Sequence, residues 1–254
     1  MKYEELVAQI HSFVEGNPLN RASDLNIEQI FALPLVGTAS AGDPFFLELK
    51  DPGVVGEHHL LPTEWLKGAR TVISYFLPFT ERITTANHIP GLPAEEWLYG
   101  RIEGEEFNRA LRQFISDLIR EEGGSSVAPL LDSRYNVVEN RSNWSERHVA
   151  FIAGLGTFSL SKSLITEKGC AGRYGSVIID LPMSLTHRKY RDIYEYCNFC
   201  GECIERCPSK AITTEGKDIS VCAHYINTEI IPRYKPRYGC GKCQTSVPCE
   251  DKIP

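Results

Sequence analysis

The sequence predicts a mixed α/β domain over residues 1–190 followed by a small cysteine-rich lobe over residues 191–254. Three observations carry that reading. Apolar stripes of helical period alternate with short β-rich runs through the first part of the chain. Residues 1–169 hold no cysteine. Eight of the nine cysteines then crowd into residues 197–254. With 254 residues, 42% hydrophobic and 24% charged, the chain has a globular composition, which excludes disordered and collagen-like classes.

Residues 3–14 place Tyr3, Leu6, Val7, Ile10, Phe13 and Val14 on one helical face. The run Thr71–Leu77 is β-rich, and the stretch Pro78–Pro93, broken by Pro78, Pro90, Gly91 and Pro93, is expected to be loop. Phe107, Leu111, Phe114, Ile115, Leu118 and Ile119 form a second helical stripe, stopped by Gly123-Gly124. Further strands are expected at Ser126–Leu130 and Tyr174–Asp180, and a third helix from Trp144 to Ala153, ending at Gly154. The pair Gly154-x-Gly156 lacks the third glycine of a dinucleotide fingerprint and follows a helix, so it carries little weight as one.

No apolar run reaches the roughly 18–20 residues that a membrane span needs. The acidic start Met1-Lys2-Tyr3-Glu4-Glu5 lacks the pattern of a secretory leader. A cytoplasmic protein without a membrane partner is expected. The net charge of −6 argues against nucleic acid as main partner, because phosphate binding is largely the work of Lys and Arg. One basic–aromatic strip, Arg233-Tyr234-Lys235-Pro236-Arg237-Tyr238, is either a solvated cover for the cysteine lobe or a surface for RNA or an acidic redox partner.

Spacing identifies the chemistry of the cysteines. The run Cys197-x2-Cys200-x2-Cys203-x3-Cys207-Pro208 is the one bacterial ferredoxins use for 4Fe–4S clusters, with the fourth cysteine serving a second cluster. Structural zinc usually takes two separated Cys pairs instead, and remains the rival reading. Cys222, Cys240, Cys243 and Cys249 complete the eight thiolates that two such clusters require. The cross-over pattern suggests Cys197, Cys200, Cys203 and Cys249 for one cluster, and Cys207, Cys222, Cys240 and Cys243 for the other. Cys170 is left over, a small buried or surface thiol.

Three blocks resemble the epoxyqueuosine reductases and, more distantly, the reductive dehalogenases. They are Glu64-Trp65-Leu66-Lys67-Gly68-Ala69-Arg70 before its strand; Ala153-Gly154-Leu155-Gly156 with Ser161-Lys162, Leu164-Ile165 and Gly175; and the cysteine lobe, with Cys222-Ala-His-Tyr225 and Gly239-Cys240-Gly241-Lys242-Cys243-Gln244. The resemblance covers roughly residues 60–250. It implies a nitroreductase-like α/β domain holding cobalamin, followed by a ferredoxin-like domain with two 4Fe–4S clusters. It implies cofactor contacts from Arg101, Gly154, Gly156, Thr157, Phe158, Ser159, Lys162 and Tyr225, with Glu146, Tyr99 and Tyr225 as catalytic candidates. Glu146 matches an acidic family position; its bland reading is a surface or helix-capping carboxylate. His148 is expected to pack or hydrogen-bond rather than bind metal, and His224 to donate to a cluster sulfide.

The chain departs from the family pattern. Thirteen residues before the Ala-Gly-Leu-Gly block, where the family places a proton-donating Asp, stands Asn140. Two extra residues precede Cys249, and the chain ends five residues after it. On these grounds tRNA is expected to be an unlikely partner. The expected activity is an iron–sulfur oxidoreductase that takes electrons from a redox protein and passes them through two clusters to cobalamin. Its substrate would be a small molecule or a corrinoid partner. An epoxyqueuosine reductase acting on tRNA and a cobalamin-free electron-transfer protein stand as the alternatives.

Overall fold

The computed structural model describes residues 1–254. Its centre is a four-stranded sheet in the order Leu35–Ser40, Thr71–Pro78, Gly172–Ile179, Ser126–Val127, with every neighbouring pair antiparallel. The architecture is therefore α+β, without parallel crossover units. The strands expected at Thr71–Leu77 and Tyr174–Asp180 are present, whereas that expected at Ser126–Leu130 is a strand only over Ser126–Val127, with a 3-10 turn at Pro129–Leu131. The strand Leu35–Ser40 was not foreseen, because Gly37 interrupts an already short run. That glycine is demanded by packing: a Cβ there would sit 2.5 Å from the Ala153 carbonyl oxygen.

Strand alternation divides the interior into two cores. Ile73, Tyr75, Leu77, Val177 and Ile179 face one side, where they meet Leu6 and Ile10 of the helix Tyr3–Gly16 and Phe107, Leu111 and Ile115 of the helix Glu95–Glu121. Val72, Phe76 and Ile178 face the other, against Trp144, Val149 and Phe151 around the helix Glu146–Ile152. The strand Thr71–Pro78 is buried along its whole length, as a strand covered on both faces must be. The buried Tyr75 hydroxyl donates to Asn108 Oδ1 at 2.7 Å, and Asn108 Nδ2 donates to the Tyr174 carbonyl at 3.0 Å. The long helix is thereby tied to the sheet with its polar groups satisfied.

The segment expected as loop between Pro78 and Pro93 contains a helix, Glu81–Ala86. Its buried Ile83 anchors that turn in the first core, which outweighs the prolines at either end. No helix is long and apolar enough to cross a membrane.

Residues 191–254 fold back onto the sheet domain. Cys170 N donates to the Cys249 carbonyl at 2.9 Å, and Asn87 Nδ2 donates to the Cys240 carbonyl at 3.1 Å. Lys242, almost fully buried, donates from Nζ to the carbonyl and Oδ1 of Asn87, at 3.1 and 3.0 Å. Burial lowers its ammonium to about 8. Arg206 donates to the carbonyls of Asn87 and His88, both at 3.1 Å.

Candidate functional site

Local turns aim the cysteines. Cys197 N donates to the Tyr194 carbonyl at 2.8 Å, and Cys200 N to Asn198 Oδ1 at 3.2 Å. Cys203 lies on the single turn Glu202–Glu205. Cys222 lies on the helix Ile219–Tyr225, capped by Asp218 Oδ1, which accepts from Ser220 N and Val221 N at 2.8 and 3.1 Å. Cys240 and Cys243 occupy the loop pinned by Asn87 and Lys242.

The thiols gather at two places. Cys197, Cys200, Cys203 and Cys249 line a narrow cleft with Ser159, Leu160 and Phe199. Cys207, Cys222, Cys240 and Cys243 form one wall of a cavity of about 500 Å³ between the lobe and the sheet domain. Cys200 is exposed and Cys207 buried, while the other three thiols of each set are half-buried. Burial pushes Cys203 up to about 12, helped by the neighbouring Cys243, Cys249, Cys197 and Cys200. Cys240 is pushed up to about 11 by burial, with Cys243 and Cys222 adding to it. Cys207 behaves otherwise: burial raises it, but bonds from Ser209 and the backbone of Ala211 and Ile212 leave it below an ordinary thiol. Four soft sulfur donors at each place, three of the first set in the ferredoxin run, are a donor set that fits iron–sulfur cubanes. Cys170 is buried with its Sγ 3.8 Å from Cys249 Sγ, outside both lining sets.

Opposite the inner thiols stands Glu146, at the start of its helix. Neither carboxylate oxygen has a hydrogen-bond partner; Arg112 approaches Oε1 only to 3.7 Å. Burial raises the carboxyl to about 7, more than Arg112 and Ser176 pull it back. Arg112 is itself 1% exposed; burial works against its charge, but Tyr75, Glu146 and Glu105 outweigh it and hold it protonated. Arg101, Tyr225, Trp97, Trp144 and Tyr174 complete the principal walls.

Several expected site residues stand elsewhere. Tyr99 does not line the cavity: its hydroxyl donates to Asp24 at 3.2 Å and Arg237 stacks 3.5 Å over its ring. The turn Gly154–Ser159, with Lys162, also lies away from the large cavity, and only Ser159 reaches a thiol-lined space, the narrow cleft. Gly156, Thr157 and Phe158 form a strand paired with Leu164–Thr166, and a Cβ at Gly156 would stand 2.0 Å from the Ile165 carbonyl oxygen. The chain's own hairpin, not a cofactor, explains that glycine. Asn140 is exposed at φ 64° in the turn between Val137–Val138 and Arg141–Ser142, outside the residues that line the cavity. The sequence reading omitted Arg112, Arg147 and Arg173, which come from separate elements and converge only in the fold.

The family model described as "4Fe-4S binding domain" matches residues 190–213, which contain the ferredoxin run. The epoxyqueuosine reductase of Vibrio cholerae is 26% identical over 274 residues, covering 98% of this chain and 68% of its own. That of Cyclobacterium marinum is 26% identical over 204 residues, covering 76% and 62%. The trichloroethene reductive dehalogenase of Dehalococcoides mccartyi is 37% identical over 67 residues, 26% of this chain and 12% of that one. The chain spans about three-fifths of the length of the first two such reductases it matches, Cyclobacterium marinum's and Leadbetterella byssophila's, at 62% of each.

Among solved structures, an epoxyqueuosine reductase with a tRNA-Tyr epoxyqueuosine-modified stem loop superposes with TM-score 0.61 at 17% identity, covering 97% of this chain and 64% of that one. A catabolic reductive dehalogenase gives 0.60 at 14% identity, covering 98% and 36%. At such identities the shared property is the fold. The chain is an epoxyqueuosine reductase-like iron–sulfur protein. The expectation against tRNA is overturned: the relatives carry the name epoxyqueuosine reductase, and one solved neighbour holds a tRNA stem loop.

Proposed function

We propose that this chain is an iron–sulfur reductase of the epoxyqueuosine reductase type, acting on a modified nucleoside carried by tRNA. This reading replaces a small-molecule or corrinoid substrate. The observation that carries it is the placement of the thiols. One set of four lines a cleft with Cys200 exposed to solvent, and the other forms a wall of the cavity in which Glu146 stands. Two 4Fe–4S clusters held this way would lead electrons from a redox partner at the surface to a molecule inside.

The finer reading is a nitroreductase-like domain with cobalamin as electron acceptor in the cavity. Of the residues expected to hold it, Arg101 and Tyr225 line the cavity, and Trp97, Trp144 and Tyr174 supply flat walls. A corrinoid bound there would supply a strongly nucleophilic reduced cobalt. The protein's own part is to exclude water and deliver protons. Glu146, raised by burial to about 7, divides between acid and carboxylate near neutral pH, which is the condition for a general acid. Arg112 orients it without closing a full ion pair.

The strip Arg233–Tyr238 borders the same cavity through Gly239 and Cys240. Arg237 is engaged with Glu103 at 2.6 Å and Arg233 with Glu229 at 2.9 Å; Arg233, Lys235 and Tyr238 are exposed. They are the proposed contacts for RNA phosphate and base. The test is anaerobic incubation of the iron-reconstituted chain, a low-potential reductant and cobalamin with an epoxyqueuosine-containing stem loop, digested and read by mass spectrometry. Conversion to queuosine that needs both iron and cobalamin supports the reading. An unchanged stem loop, with clusters fully reduced, contradicts it.

A further inference from the structure

The large cavity is lined by Arg101, Arg112, Arg147, Arg173 and Lys217, and by one acid, Glu146. Arg112 and Arg173 share Glu105 behind the wall. Lys217 turns to the thiols, with Nζ 4.0 Å from Cys243 Sγ. Arg101 and Arg147 have no carboxylate partner: Arg101 lies 4.9 Å over the Tyr238 ring, and Arg147 donates to the Lys162 carbonyl. Burial lowers Arg101 to about 10, and Arg173 and Arg147 add like-charge repulsion; no thiolate is among the groups acting on it. Arg147 lines the cavity while remaining open to solvent. Four arginines to one carboxylate around a single cavity leave guanidinium donors, those of Arg101 and Arg147 above all, without a carboxylate of the chain to engage.

We propose that Arg101, Arg147 and Arg173 form an oxyanion subsite, which binds a phosphate or carboxylate of the molecule that enters the cavity. Planar forks of N–H donors suit such a group, and the low-dielectric walls strengthen the attraction. The subsite stands independently of the redox reaction proposed above, since binding is measurable without turnover.

The experiment is anaerobic calorimetry on the full, iron-reconstituted chain at fixed ionic strength. The probes are inorganic phosphate and a nucleoside 5′-monophosphate, with the unphosphorylated nucleoside as reference. Saturable binding of the phosphate-bearing probes is expected, weakened tenfold or more in Arg101→Gln and in Arg147→Gln and unchanged in the surface control Arg120→Gln. Displacement of the monophosphate by an unmodified anticodon stem loop would assign the phosphate to an RNA backbone. Binding that the stem loop leaves undisturbed would assign it to a free small molecule. Absence of saturable binding, or equal binding by parent and both cavity variants, overturns the subsite.

Discussion

Glu146 shows at the residue scale how burial makes chemistry. A carboxyl raised to about 7 is about half protonated at neutral pH, and its acid form is lost as pH rises through that value. Turnover should therefore fall above pH 7. Glu146→Gln should lower it about a hundredfold or more and flatten that alkaline limb. The linkage has a second consequence. Because the folded state binds this proton more tightly than the unfolded state, stability falls as pH climbs from about 4.5 to 7. Melting curves should show Glu146→Gln more stable than the parent at pH 8 and nearly equal at pH 4; a less stable variant at pH 8 would contradict the unpaired carboxylate. The thiols divide just as sharply. Cys200→Ala should lower iron per chain by about half, whereas Cys170→Ala, outside both thiol sets, should leave the iron count unchanged; metal analysis decides.

At the scale of elements, Glu105 joins the long helix to the strand Gly172–Ile179. It pairs with Arg112 at 2.8 Å and with Arg173, which together lower it to about 2 against the burial that raises it. A carboxylate lowered from its ordinary 4.5 contributes stability above that value and loses it as pH falls through the folded value. Glu105→Gln should cost on the order of 2–3 kcal/mol at pH 7, with the difference vanishing near pH 2 in denaturant titrations. The elements themselves were legible in the sequence where one face carried a strong period, as in Tyr3–Gly16 and Thr71–Pro78. Legibility failed where packing overrode local signals. Gly37 hides a strand because it meets the Ala153 carbonyl, and the turn at Ile83 folds despite flanking prolines. Gly156 shows the same ambiguity at the site: a glycine that lets backbone approach a cofactor and one that lets backbone approach backbone read alike.

At the scale of the whole molecule, the cysteine spacing made the iron–sulfur lobe legible, since ligand chemistry is written in short intervals along the chain. The cavity was not, because Arg101, Glu146, Arg173 and Tyr225 meet only when the lobe closes over the sheet domain. In the proposed relay, electrons would run from the exposed Cys200 side to the wall of Cys207, Cys222, Cys240 and Cys243. The proposal rests on that wall facing an acceptor. Its most direct measurement is an anaerobic titration of the iron-reconstituted chain with cob(II)alamin, followed by electron paramagnetic resonance. The account predicts a base-off Co(II) signal saturating at one equivalent beside reducible cubane signals. An unchanged base-on spectrum with both clusters present would contradict it.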